Sequence, residues 1–236
     1  MKIWPIFKKE MLLYFTSPVA YVVFTIFLLI VGYFFYSIFA FFTVASMQAA
    51  MNPAMGRDLN VTDGVMRPLF SEERKSGTIE LLLTYPVRDG AVLVAKYLAA
   101  LTLYALMLFL TLLYPAIVAY FARLELGPLV TGYLGLVLMG GAFLAVGVLA
   151  SSLTENQIVA AVSTFGVLLL FWIIGWSADN AGGVLGKVLA HLSIIDHYDG
   201  FAKGVIDTRD LIYYVNFIAL ALFLTLRSLE SRRWNG

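Results

Sequence analysis

The sequence predicts an all-α polytopic membrane protein, and three observations predict it. Of 236 residues, 61% are hydrophobic and 13% charged, against about 25% charged in an ordinary soluble chain. The mean hydropathy is +0.87. Long uncharged stretches recur along the chain, each close to the roughly 20 apolar residues that cross a bilayer as a helix. None alternates polar with apolar as a membrane β-barrel strand would. The same composition excludes other classes. A net charge of +1 without a basic block argues against nucleic acid as a partner and leaves membrane lipid as the surroundings. With no cysteine there is no disulfide framework, thiolate nucleophile or Cys-ligated zinc.

Residues 1–17 read as an interfacial helix. Ile3, Phe7, Met11 and Tyr14 fall at helical spacing, with Lys2, Lys8 and Lys9 on another side, which suits a helix lying in the headgroup region. The same charges rule out a signal peptide. Ser17 followed by Pro18 is a helix start, with Ser as N-cap and Pro at the first helical position. Spans are then expected at 19–42, 91–122, 129–150, 158–178 and 211–226. The last is short and the second carries Lys96 near its start. Thr154 and Gln157 stand in capping-box relation ahead of the fourth span.

Lys and Arg set the orientation. Lys2, Lys8 and Lys9 place the N-terminus in the cytoplasm, and Arg227, Arg232 and Arg233 place the C-terminus there. Arg74, Lys75, Arg88 and Lys96 do the same for residues 71–96. The segment 180–210 is then extracytoplasmic. Two cytoplasmic ends require an even number of spans, yet five are clear. The conflict is local to residues 43–70, which carry Arg57, Asp58, Asp63 and Arg67. Each such charge costs roughly 2.5–3.5 kcal/mol at mid-bilayer, so this stretch is a poor span.

The stretch 71–90 is the most informative outside the spans. Glu72 and Glu73 precede Arg74 and Lys75, Gly77 breaks the chain, and Thr78 can cap a short helix with Glu80 in its first turn. Tyr85-Pro86 ends it. A short amphipathic helix here would dock a soluble partner. An ordinary charged loop at the headgroups reads equally well. Between Asn180 and Asp210, the residues His191, Asp196, His197 and Asp199 are metal-capable types at no strong metal spacing, and a solvated loop with short interfacial helices is the preferred reading. Gly132, Gly135, Gly140, Gly141, Ala145 and Gly147 suit close helix packing. No ionisable residue lies mid-span, which argues against a proton relay. There is no P-loop, H-E-x-x-H or G-x-S-x-G pattern, so any ATP-driven motor is another polypeptide.

The run "EERKSGTIELLLTYPV" followed by "VLVAKYLAAL" resembles the ABC-2 type exporter permeases, and is most similar to their gliding-motility-type branch. "FKKEMLLYFTSPVAYVV", "ASSLTENQIVAAVSTFG" and "HYDGFAKGVIDTRDLIYYV" are similar to the same family. The resemblance implies a transmembrane permease without a catalytic site or cofactor of its own, in the bacterial inner membrane. ATP and magnesium would sit on a partner ATP-binding subunit. It implies a second permease subunit, identical or related, and an auxiliary extracytoplasmic protein is a further expected partner. It assigns coupling to that ATPase to Glu72, Glu73, Arg74, Lys75, Gly77, Thr78 and Glu80, with Thr154, Glu155 and Asn156 as a second cytoplasmic contact. It also implies that the segment before the last span folds back toward the membrane. The family carries a further span where Phe70 meets Ser71 here, giving six in the full subunit. The sequence in hand omits that span, or the protein is truncated, or residues 43–70 cross within a dimer; omission is preferred. The rival readings are a lipid-modifying enzyme using the His191–Asp199 cluster and a scaffold without a pathway.

Overall fold

The computed structural model describes residues 3–51, 89–121, 124–181 and 183–234. They form α1 (Ile3–Thr16), α2 (Pro18–Met51), α3 (Asp89–Thr111), α4 (Leu113–Phe121), α5 (Leu126–Leu153), α6 (Gln157–Ala181), α7 (Gly183–Leu192), α8 (Tyr198–Ala202) and α9 (Thr208–Trp234). No strand occurs among the described residues. Among the described residues, five stretches are long and apolar enough to cross a membrane: Pro18–Ser37, Gly90–Phe121, Leu126–Leu153, Gln157–Ser177 and Thr208–Ser231. The all-α membrane class is therefore what the composition predicts.

α5 is the centre of the bundle. Gly132, Gly135, Met139, Gly140, Gly141, Ala142 and Ala145 are all buried, and α3, α6, α8 and α9 pack around them. The glycines admit aromatic rings from α3. The Tyr97 hydroxyl donates to the Gly141 carbonyl at 3.0 Å and the Tyr104 hydroxyl to that of Leu136 at 3.0 Å. A Cβ on Gly140 would collide with the Tyr104 ring. In lipid this is the expected basis of helix association, since apolar burial alone does not favour protein over acyl chain. As Tyr97 gives way to Tyr104, their partners run from Gly141 back to Leu136, so α3 and α5 are antiparallel.

α1 packs on α3 and turns Glu10 inward while Trp4, Leu12 and Leu13 stay exposed. Burial and the Glu10 carboxylate together raise the Tyr14 phenol above its ordinary pKa. Ser17 caps α2 as expected, its Oγ accepting from the Val19 N–H at 3.3 Å. Further along α2, the Leu28 carbonyl accepts from the Tyr114 hydroxyl at 3.0 Å, and Phe35 stacks on Tyr114 at 5.0 Å. With α1 on α3 and the middle of α2 on α4, α2 runs in the same sense as α3 and α4. The described ends Met51 and Asp89 therefore point to opposite ends of the bundle.

One expectation gains detail and another needs correction. The second span is a single apolar stretch, Gly90–Phe121, that kinks at Leu112, where the N–H bonds to Phe109 three residues back. Pro115 has no N–H to offer and its ring displaces the Thr111 carbonyl. The segment 180–210 is also not a solvated loop throughout. Ser193, Ile194, Tyr198 and Phe201 are buried in the bundle, as the family resemblance implied.

Candidate functional site

The residues assigned to ATPase coupling (Glu72, Glu73, Arg74, Lys75, Gly77, Thr78 and Glu80) lie outside the described residues. The described chain resumes at Asp89, where α3 begins, nine positions after Glu80. A Cβ on Gly90 would lie 3.7 Å from Leu226 of α9. The Ser228 hydroxyl in turn donates to the Ser152 carbonyl at 3.3 Å. The start of α3, the end of α5 and the last turns of α9 thus share one end, here the lower end. Arg227 closes on Glu230 at 2.9 Å and lies over the Phe223 ring.

The 154–156 loop sits at this end and is built differently from the capping box expected. Asn156 caps α6, not Thr154. Its Oδ1 accepts from the Ile158 N–H at 2.9 Å and from the Val159 N–H at 3.4 Å. Thr154 closes α5 in an extended conformation, and its Oγ1 accepts from the Asn156 N–H at 3.2 Å. Asn is among the strongest N-caps, and with α6 starting at Gln157 only Asn156 reaches the orphan amides. Glu155 and Asn156 are exposed and Thr154 is half-buried. The geometry is a short, self-braced turn that presents one carboxylate.

The upper end is closed by α7, which packs on α6, and by the following turn and α8, which fold back between α5 and α9. Thr131 Oγ1 donates to the Phe201 carbonyl at 2.6 Å. A Cβ on Gly135 would lie 2.7 Å from that of Phe201, so α8 can approach α5 only at a glycine. From α9, the Tyr214 hydroxyl donates to the Ile194 carbonyl at 2.7 Å and the Tyr213 hydroxyl to that of Leu192 at 2.9 Å. Burial pushes the Tyr198 phenol above its ordinary pKa. The chain leaves through Gly204, whose φ of +87° favours glycine, packed on Pro128.

The histidines belong to this clamp. His197 is buried and stacks on Tyr213 at 3.8 Å with the rings 10° apart. Its Nδ1 lies 2.7 Å from the Ser193 carbonyl, which can only accept, so Nδ1 carries the proton. His191 is 5.6 Å from His197, centroid to centroid. Among the described residues no group of three or more His, Asp or Glu is placed to hold a metal. The sequence gives no role to Thr131, Phe201 or Tyr214. The signal for a close neighbour is the glycine pair Gly132 and Gly135 in the second and third turns of α5, with no partner specified.

The family model of the ABC-2 family transporter protein matches residues 68–230. No curated protein and no solved structure matches the chain. That family is a membrane component of transporters, not itself catalytic, and membership implies an ATP-binding partner. The matched region runs from just before Glu72 to the last turns of α9, and it takes in the glycine-centred bundle, the 154–156 loop and the re-entrant clamp. The chain therefore belongs to the ABC-2 transporter family and is a multi-pass transmembrane permease of an ABC transporter.

Proposed function

We propose that the chain is the permease subunit of an ATP-driven exporter of the gliding-motility-type branch, in the bacterial inner membrane with both termini and the lower end cytoplasmic. Two permease subunits form the pathway, and two ATPase subunits bind beneath them and hold the ATP and magnesium. Dimerisation of the motors pushes on Ser76–Tyr85. Because α3 follows that stretch directly, the push passes into α3 and then, through Tyr97 and Tyr104, into α5. The observation that carries this reading is the convergence of the α3 start, the 154–156 loop and the end of α9 at one end of the bundle. A motor docked there would touch all three. The uncharged spans suit lipid, hydrophobic or polymeric cargo, or the transmission of force. The upper clamp faces outward, where an auxiliary extracytoplasmic protein would meet it.

The test is the double replacement Glu72→Ala with Glu73→Ala in the assembled complex. ATP hydrolysis should persist while transport falls, with the chain still inserted. Unchanged coupling would remove the assignment. The absence of cysteine allows a check of orientation: Ser76→Cys should label only from the cytoplasm and Asp199→Cys only from outside.

A further inference from the structure

Asn216 is misplaced for a helix that faces lipid. It lies about 12 Å along α9 from Thr208 and about 16 Å from Arg227, near the middle of a hydrocarbon layer about 30 Å thick. It is exposed. Four threonines in the spans hide their hydroxyls within their own helix. Thr25, Thr102, Thr164 and Thr225 each donate to the carbonyl one turn back. Among the described residues no group hydrogen-bonds the Asn216 amide. A primary amide in hydrocarbon without a partner is unfavourable, and such residues draw helices together.

The face around Asn216 is patterned for a helix partner. Ile212, Asn216, Ala219 and Phe223 follow a four–three–four spacing and are all exposed, the seam of a heptad repeat. The opposite side of α9, with Tyr214, Ala221 and Thr225, is buried in the bundle. Ala219, next along the seam, leaves room for close approach. An Asn side chain carries both an acceptor and two donors. A two-fold axis along the membrane normal sets each residue of such a seam opposite its own copy, so one Asn216 carbonyl accepts from the other's NH2. A single Asn at such a position also fixes register, because any slip leaves both amides unpaired.

We propose that α9 is a subunit-association helix: Ile212, Asn216, Ala219 and Phe223 pair in parallel with the same residues of a second copy, through a mutual Asn216 amide bond near mid-membrane. This rests on the reading that two permease copies associate, and it names the surface they use.

The experiment uses the cysteine-free chain in membranes, with single cysteines oxidised by copper phenanthroline. Ile212→Cys, Asn216→Cys, Ala219→Cys and Phe223→Cys should give dimers, and Ile218→Cys and Ala221→Cys should not. In the Ala219→Cys background, Asn216→Leu should weaken dimerisation about fivefold, the scale of one interhelical polar pair. Asn216→Gln should restore part of it. If dimers form instead through Tyr36→Cys on α2 or Trp172→Cys on α6, the two-copy reading stands and the α9 seam is overturned. If no position cross-links and the chain is monomeric by light scattering, both fall. A cross-link from Asn216→Cys to a polypeptide of another mass overturns the self-pairing.

Discussion

The spans of α5 (Leu126–Leu153) and α6 (Gln157–Ser177) are alike in sequence terms and opposite in structure. Both are long, uncharged and strongly apolar, yet half of the apolar stretch in α5 is buried against 11% of that in α6. In water such helices would compete equally for the core. In lipid they do not, because acyl chains satisfy an apolar surface as well as protein does. What separates them is small residues placed opposite specific rings. α5 carries Gly135 beneath Phe201 and Gly140 beneath Tyr104, whereas a Cβ on Gly166 of α6 would meet nothing within 4 Å. Hydroxyls from α3 find carbonyls on α5. Inside a membrane, position in the bundle follows from close approach and hydrogen bonding, and hydrophobicity only admits the helix to the bilayer.

The contrast can be broken most sharply at the glycines. Gly140→Leu should destabilise the folded bundle by about 3 kcal/mol, the upper range for overpacking, read as a lower temperature of aggregation in detergent. Gly166→Leu should leave that temperature unchanged. An equal effect of the two would mean that α5 is not the hub. Next in size is Thr131→Val, which removes the donor to a buried carbonyl of α8 and should cost about 1–2 kcal/mol. Its readout is faster labelling of a cysteine placed at Asp199, as the clamp loosens from α5. Asn156→Ala should cost about 1 kcal/mol through loss of the α6 cap. Thr154→Val should cost less, and a reversed order in thermal scans would restore the capping box read from the sequence. Tyr104→Phe keeps the ring over Gly140 and loses one interhelical bond, about 0.6 kcal/mol. Trp172→Ala on the open face of α6 should be silent in the same scan.

Much of the fold was legible because the bilayer is a simple solvent. Uncharged length is enough to mark a span, and five stretches among the described residues are long and apolar enough to cross a membrane. Ser17-Pro18 was legible because capping is local chemistry. Three features were not. The break at Leu112 depends on Pro115, which a hydropathy reading counts as merely another uncharged residue. The cap of α6 depended on where the helix begins, and Asn156 lies two residues from the Thr154 that the motif favoured. The re-entrant clamp has ordinary loop composition, with its acids outward and Ile194, Tyr198 and Phe201 inward. Only their partners on α5 and α9 distinguish it from a solvated segment. The coupling residues Glu72 to Glu80 were read from resemblance, and their surroundings lie outside the described residues.

Alone, then, the sequence determined the solvent this protein lives in, the number of clear spans and, by resemblance, the family. Those follow from quantities summed along the chain, such as apolar length, charge and motif spacing. Tertiary structure decided that α5 is central, that α8 returns into the bundle and that His197 is a packing residue stacked on Tyr213. These depend on which glycine meets which ring and which hydroxyl reaches which carbonyl. Such pairings join residues far apart in sequence, and no local pattern encodes them.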